Sequence, residues 1–455
     1  MERVNTVPLS TEQDALFRLI EDTREHVFIT GRAGTGKSTL LQHLAWNTSK
    51  QIAVCAPTGV AALNVEGQTI HSLFRLPIGL IANTELEQSD ATRKILNAID
   101  TLVIDEVSMV SADLMDGMDR ALRQARGRRG EPFGGVQVVM FGDPYQLAPV
   151  PPRGDELRYM RDHYRSSWFF DAHVWAGEET GDGLVDIGRY GADLRIAELR
   201  QIHRQSDDGF KALLNAVRHG QVTADMAKIL NDTGARRPPE QGPDDPPIIT
   251  LATRNDIVNT INRRHLEALP GRSQTAEAEV NGDFGRGDAA YPADMQLQLK
   301  VGAQVMFLRN DVQPFGEGPR WVNGTIGTVT RITGGSVRVE VDGVQHDVEP
   351  AVWERFRYAY DPATRSLSRD IVAEFTQFPL RLAWAVTIHK SQGKTYERAI
   401  IDLGSGAFAA GQTYVALSRL TALDGLYLSR PLRPSDVRVD PDVQRFMRDA
   451  RAAAS

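Results

Sequence analysis

The chain has 455 residues, 41% of them apolar, which at about 150 residues per domain is room for roughly three folded units and excludes a single small binding module. Its formal charge of −7 excludes a protein that coats nucleic acid by bulk attraction, so an anionic partner has to be held by local positive features. The one cysteine, Cys55, excludes a disulfide framework and a cysteine-built zinc or iron–sulfur centre, and the chain carries neither an 18-residue apolar run nor a secretion-signal pattern, so a cytoplasmic protein with no membrane partner is expected.

In chain order, the first 150 residues alternate short apolar runs with longer helix-like stretches. The runs His26–Thr30, Gln51–Cys55, Thr101–Ile104 and Val136–Phe141 are short and rich in Val and Ile, which predicts buried parallel strands with helical crossovers. Directly after the first run, Gly31-Arg-Ala-Gly-Thr-Gly-Lys-Ser38 satisfies the phosphate-loop pattern G-x-x-x-x-G-K-[ST] and opens the helix-like segment Thr39–Trp46. Backbone N–H groups of Gly34, Thr35 and Gly36 would curl around an anion there, with Thr39 behind them. Lys37 would reach the β/γ oxygens, and the Ser38 hydroxyl would ligate Mg²⁺.

Asp105-Glu106 follow the third run. An Asp ending a buried strand can hold Mg²⁺, and the Glu beside it can orient and deprotonate an attacking water, so hydrolysis is expected rather than nucleotide storage. No N/T-K-x-D tetrapeptide is present to read guanine. Gln13, in Leu9-Ser-Thr-Glu-Gln13, offers an amide for the adenine edge, which makes ATP the expected nucleotide.

Further on, Arg123–Arg129 is a short basic cluster that reads as a solvated surface loop. The Pro-rich stretch 237–247 reads as a linker or long loop, because proline lacks the N–H that helices and interior strands need. Between about 300 and 350 the apolar period becomes two, and Thr325–Ile332 and Ser336–Val341 flank Gly334-Gly335, predicting an antiparallel hairpin in a small β-rich insert. From Pro379 to Leu428 the α/β texture returns.

Several segments together resemble the petite-integration-frequency (Pif-type) DNA helicases of superfamily 1, relatives of the RecD-like motors. These are Asp105-Glu-Val-Ser-Met109, Phe133-Gly-Gly-Val-Gln137 and Gly142-Asp-Pro-Tyr-Gln-Leu-Ala-Pro-Val150, with Ala56–Ala62, Gln68–Ser72, Leu199–Gln205, Thr387–Gly393 and Tyr414–Arg419. The resemblance implies two RecA-like P-loop motor domains. The first would span 1–190 with a small wedge-type insertion near 63–100, and the second would join 191–300 to 376–440. An SH3-like β-rich insertion would occupy 301–375 and a tail 441–455, with Asn323 a turn residue.

The resemblance also implies roles. Gln146 would sense the γ-phosphate, Arg204 and Arg419 would reach it as arginine fingers from the second domain, and Gln392 and Gly393 would lie near the phosphates. Thr58, Gly59, His71, His389 and Ser391 would touch DNA. The implied activity is ATP- and Mg²⁺-dependent unwinding, 5′ to 3′, on single-stranded DNA and its junctions with duplex, by a monomer or a dimer on DNA, nucleoid-associated if the source is bacterial. Two other readings stay open at this point: a RecD-like subunit of a nuclease complex, and a nucleotide-gated loader that does not unwind. No H-E-x-x-H or G-x-S-x-G motif points elsewhere.

Overall fold

The computed structural model describes residues 8–77, 79–81, 86, 88–150, 152, 154–175, 194–201, 207–239, 248–284, 291–311, 320–361 and 366–453. The apolar runs of the first 150 residues form the centre of a six-stranded sheet. Its order is Gln68–Thr69, Ile52–Ala56, Thr101–Ile104, Gln137–Phe141, Val27–Gly31, Arg195–Leu199, and every pairing is parallel. Helices cover both faces, so the central strands are buried throughout and show runs of Val and Ile rather than alternation. Because the strands all point one way, Gly31, Ala56, Ile104 and Phe141 end on one edge of the sheet, where an open α/β fold places its ligand loops.

The strand Arg195–Leu199 corrects the expected boundary at 190/191. It pairs with Val27–Gly31 over its whole length, with Leu199 opposite Gly31, and so is the edge strand of the first sheet. The chain therefore leaves the first α/β domain beside the phosphate loop.

A second parallel sheet runs Ala385–Thr387, Ile249–Ala252, Ala399–Asp402, Leu426–Leu428. Two segments far apart in sequence build it because a β-rich insertion separates them. That insertion is larger than the expected 301–375. Gln274–Glu277 pairs with Gln296–Leu299, Glu279–Gly282 with Ser366–Gln377, and Leu380–Leu382 with Gln304–Phe307, so its pairings reach from 274 to 382. Its five-stranded antiparallel part holds the expected hairpin, with Ile332 opposite Val337 across the Gly-Gly turn and Val305, Phe307, Val329 and Val339 filling its core. Asn323 and Gly324 form a turn. A long hairpin, Ala351–Asp361 with Ser366–Gln377, reaches back to the first domain, where Leu63 packs against the cluster of Trp353 and Phe375.

The expected tail is a helix, Pro441–Ala453, that docks on the first domain. Phe446 is fully buried and stacks on Phe170 with ring centroids 4.1 Å apart, and Arg445 pairs with Asp171 at 2.7 Å. The basic cluster is only partly solvated: Arg123 clamps Asp119 at 2.8 Å and Arg126 donates to the carbonyls of Asn97 and Gly134, while Arg128 and Arg129 are exposed. Only residues 237–239 of the Pro-rich stretch, and part of the 63–100 segment, lie within the described residues.

Candidate nucleotide site and domain cleft

The phosphate loop takes its shape from its glycines. Gly34 and Gly36 have φ of 82° and 79°, in the left-handed region that costs a residue with a Cβ about 1–2 kcal/mol. Gly31 is extended, but a Cβ there would sit 2.7 Å from Thr35 Oγ1 and 2.8 Å from the Leu199 carbonyl, so the loop and edge strand close only on glycine. Lys37 starts the helix Lys37–Asn47, and its Nζ donates to the carbonyls of Gly31 at 2.7 Å and Arg32 at 3.1 Å, folded back over the loop. Ser38 is exposed and Thr39 half-buried in the same first turn.

Gln13 lies at this loop, but its amide is engaged by the chain itself. Its Oε1 accepts the Ser10 N–H at 2.9 Å in a capping box, and its Nε2 donates to the Gly36 carbonyl at 3.0 Å. It braces the phosphate loop directly.

Asp105 and Glu106 leave the third strand, Glu106 in a left-handed conformation with φ of 49° that turns the chain at the sheet edge. Burial, and next the charge of Glu106, push the Asp105 carboxyl up to about 7, against the pull of Lys37. Burial also raises Glu106, opposed by the positive charges of Lys37 and Arg419. Two carboxylates and two cations thus share one pocket, and one cation comes from each parallel-sheet domain.

Arg419 is 1% exposed. It is held rigidly by its own domain: Nε donates to the Val415 carbonyl at 2.9 Å, Nη2 to Ser418 Oγ at 2.9 Å and Nη1 to the Ser391 carbonyl at 3.4 Å. The segment after Ala385–Thr387 supplies Gln392, whose Nε2 donates to Gln146 Oε1 across the cleft at 3.2 Å. Gly393 follows, exposed, with φ of 76°. Arg204 lies outside the described residues.

Among the expected DNA contacts, Thr58 caps the helix Gly59–Asn64 by accepting the Ala61 N–H at 3.2 Å, and Gly59 is half-buried beside the exposed Val60. His71 is half-buried, its Nδ1 without a hydrogen-bond partner among the described residues, and His389 is exposed. Ser391 departs from expectation. It is fully buried, its hydroxyl donates to the Ile388 carbonyl at 2.7 Å, and its own carbonyl holds Arg419, so it serves the arginine rather than facing a strand in this conformation.

The sequence reading passed over Asp143 and Tyr414. Tyr414 OH accepts the Ala33 N–H of the phosphate loop at 3.2 Å and donates to Asp143 Oδ2 at 3.2 Å. Both residues stand inside segments quoted above, Gly142–Val150 and Tyr414–Arg419, but their partnership spans 271 positions and has no local signal.

A profile of the PIF1-like helicase family matches residues 8–228. The ATP-dependent DNA helicase Pif1 of Bdellovibrio bacteriovorus is 34% identical over 97% of this chain and 92% of its own length. The chain belongs to the PIF1-like helicase family. The Xenopus laevis PIF1 helicase is 33% identical over 97% of this chain, which spans only 64% of that PIF1 protein's length. Among solved PIF1-like structures, Bacteroides Pif1 with ADP–AlF4 aligns over 98% of both chains at 34% identity and a TM-score of 0.85. A Bacteroides Pif1 complex with ADP–AlF3 and single-stranded DNA has the same identity and coverage but a TM-score of 0.68. At equal identity, this chain therefore superposes more closely on the first of these PIF1-like structures.

Proposed function

We propose that this chain is an ATP-driven motor that moves 5′ to 3′ along single-stranded DNA and unwinds duplex ahead of it. The observation that carries this reading is that both motor domains supply groups to one phosphate pocket: Lys37, Asp105, Glu106 and Gln146 from the first, Arg419, Gln392 and Tyr414 from the second. A site divided in this way makes closure of the cleft depend on the triphosphate and its opening on hydrolysis.

The donor set fits a magnesium-bound triphosphate: an exposed Ser38 hydroxyl at a helix start, and beside it two carboxylates whose proton affinity is raised, chiefly by burial. Ser38 and Asp105 would hold Mg²⁺, which neutralises charge on the β/γ oxygens when bound. The chain's own groups do the rest. Backbone N–H groups of Gly34, Thr35 and Gly36 cradle the phosphates, and Lys37 swings from its two carbonyls to the β/γ oxygens. Glu106 takes the proton of the attacking water, since burial makes it a stronger base than a surface glutamate. Gln146 orients that water, and Arg419, with Arg204, meets the charge that develops on the γ-phosphoryl oxygens. Loss of such an arginine costs about 10³–10⁵ in rate.

The strand would bind through the Pro57-Thr58-Gly59 turn, His71 and His389, the first by backbone N–H groups that need no added charge. This reconciles DNA binding with a net charge of −7. The partner class is single-stranded DNA and its junctions with duplex, bound by a monomer.

The test is unwinding of partial duplexes that carry a 5′ or a 3′ single-stranded tail, with ATP and Mg²⁺. Strand release from the 5′-tailed substrate alone is expected. Release from the 3′-tailed substrate alone overturns the polarity, and hydrolysis without release from either overturns the motor.

A further inference from the structure

Arg218 lies in the last turn of the helix Asp208–His219 of the second motor domain and is 1% exposed. Its Nη2 donates to Asp143 Oδ1 at 2.9 Å, and its guanidinium lies 4.2 Å from the ring centroid of Tyr145. Asp143 and Tyr145 belong to the segment that ends the fourth apolar strand and leads into Gln146. Asp143 Oδ2 in turn accepts Tyr414 OH, which holds the phosphate-loop N–H of Ala33, and lies 3.5 Å from Gln146 Nε2. One buried arginine of the second domain thus grips the first-domain segment that carries the water-orienting glutamine, and the same aspartate ties that grip to the phosphate loop.

The pair is poorly built for stability alone. Arg218 Nε and Nη1 are buried without a hydrogen-bond partner among the described residues, and the acid nearest to Nη1, Glu198, stands at 3.6 Å. Unmade bonds of buried charged donors are costly, and a well-packed apolar pair of similar volume is often neutral or stabilising by comparison. The guanidinium also borders a narrow cleft with Arg32, Ala33, Tyr414 and Ser418, so it stands at the nucleotide side of the domain interface.

We propose that Arg218 is a positioning residue for ATP hydrolysis: through Asp143 and Tyr145 it fixes Gln146 and the phosphate loop in register with the second motor domain. It touches no reacting atom, and the inference rests on the proposed ATPase reading. A misplacement of about 1 Å at a reacting centre can cost about 10²-fold in rate, and this is the scale expected here.

The test measures steady-state ATP turnover with and without single-stranded DNA, and thermal unfolding, for the full chain and the variants Arg218→Lys, Arg218→Met and Asp143→Asn/Arg218→Met. Lysine keeps the charge, but its single ammonium cannot both pair with Asp143 and lie flat on Tyr145. Arg218→Lys is expected to lose about 10²-fold in kcat with KM for ATP within about twofold. Arg218→Met strands Asp143 and is expected to unfold earlier. The double variant removes both charges, so its melting temperature is expected to return while its kcat stays low. If kcat returns with the melting temperature in the double variant, or if Arg218→Lys turns over at the wild-type rate, the pair is structural and the proposal falls. Lys37→Ala separates this outcome from failure of the ATPase reading: a Lys37→Ala chain that still hydrolyses ATP removes the site itself.

Discussion

Gln392 of the second motor domain donates its amide to Gln146 of the first at 3.2 Å, so the two glutamines expected near the γ-phosphate hold each other across the cleft. An amide can donate and accept at once, and Gln146 is therefore free to keep this bond while its own NH₂ meets water or phosphate. Replacing Gln392 with Leu leaves Gln146 Oε1 unpaired in a site where it is 8% exposed. A loss of about tenfold in kcat, near 1.4 kcal/mol, is expected with little change in KM. In a double-mutant cycle with Gln146→Leu the two losses should not add, because each variant removes the same bond.

The same contact requires Gly411. Its φ is 77°, and a Cβ at this position would lie 2.1 Å from the Gln146 carbonyl oxygen and 2.6 Å from that of Tyr145, both backbone atoms that cannot yield like a side chain. Gly411→Ala should hold the cleft open rather than unfold either domain. The measurement is small-angle scattering with ADP–AlF4: the wild-type chain is expected to keep a closed profile and the alanine variant a wider one, with ATP turnover reduced about 10²-fold.

Lys37→Ala and Glu106→Gln should abolish ATP turnover while leaving the fold intact. Lys37 is only half-buried, and its two bonds are to loop carbonyls that solvent can replace. Glu106→Gln removes the base and keeps the shape. Circular dichroism that matches the wild type, with no phosphate release, is the expected pairing of results.

What the sequence made legible was local chemistry at fixed spacing: the phosphate loop, Asp105-Glu106, the segment containing Gln146, and the alternating strands around Gly334-Gly335. Each of these depends on neighbours within about ten residues. The relationships that were missed are long-range pairings. Arg218 reads as one more arginine on an amphipathic helix until Asp143, 75 positions away, is folded against it. The strand Arg195–Leu199 carries Arg and Glu like an exposed edge, and only its ladder to Val27–Gly31 assigns it to the first sheet. Ser391 was expected at DNA because Thr387–Gly393 resembles the family motif, but a tight turn buries its hydroxyl on Ile388.

Asp105 sets a pH dependence whose sign can be worked out. Burial first, and then Glu106, raise its carboxyl from an ordinary 3.8 to about 7. Between those values the folded chain holds a proton that the unfolded chain has released, so this group stabilises the fold at acid pH and the contribution is lost as pH rises towards about 7. Asp105 must be ionised to hold Mg²⁺, so kcat/KM for Mg–ATP, which reports the free enzyme, is expected to climb with pH up to about 7 and then level. Melting temperature against pH for wild type and Asp105→Asn checks the first part, since the asparagine should remove that slope. A kcat/KM profile that falls between pH 6 and about 7 would contradict the second.

The C-terminal helix yields the last prediction. Pro441–Ala453 follows the second motor domain in sequence, yet Phe446 stacks on Phe170 and lies against Phe28 at 6.2 Å, both in the first domain, while Gln444 Nε2 donates to the His219 carbonyl beside Arg218. The helix therefore spans the joint on the side that carries the Arg218 clamp, anchored on the first domain by a fully buried aromatic and on the second by Gln444. Phe446→Ala removes that ring, and a buried Phe→Ala change costs about 3–5 kcal/mol. Because the ring anchors on the first domain a helix that also bonds the second, the loss should appear as a split transition: urea unfolding that is single in the wild type becomes two-stepped in the variant. A single transition merely shifted to lower urea would mean that the helix belongs energetically to the first domain alone.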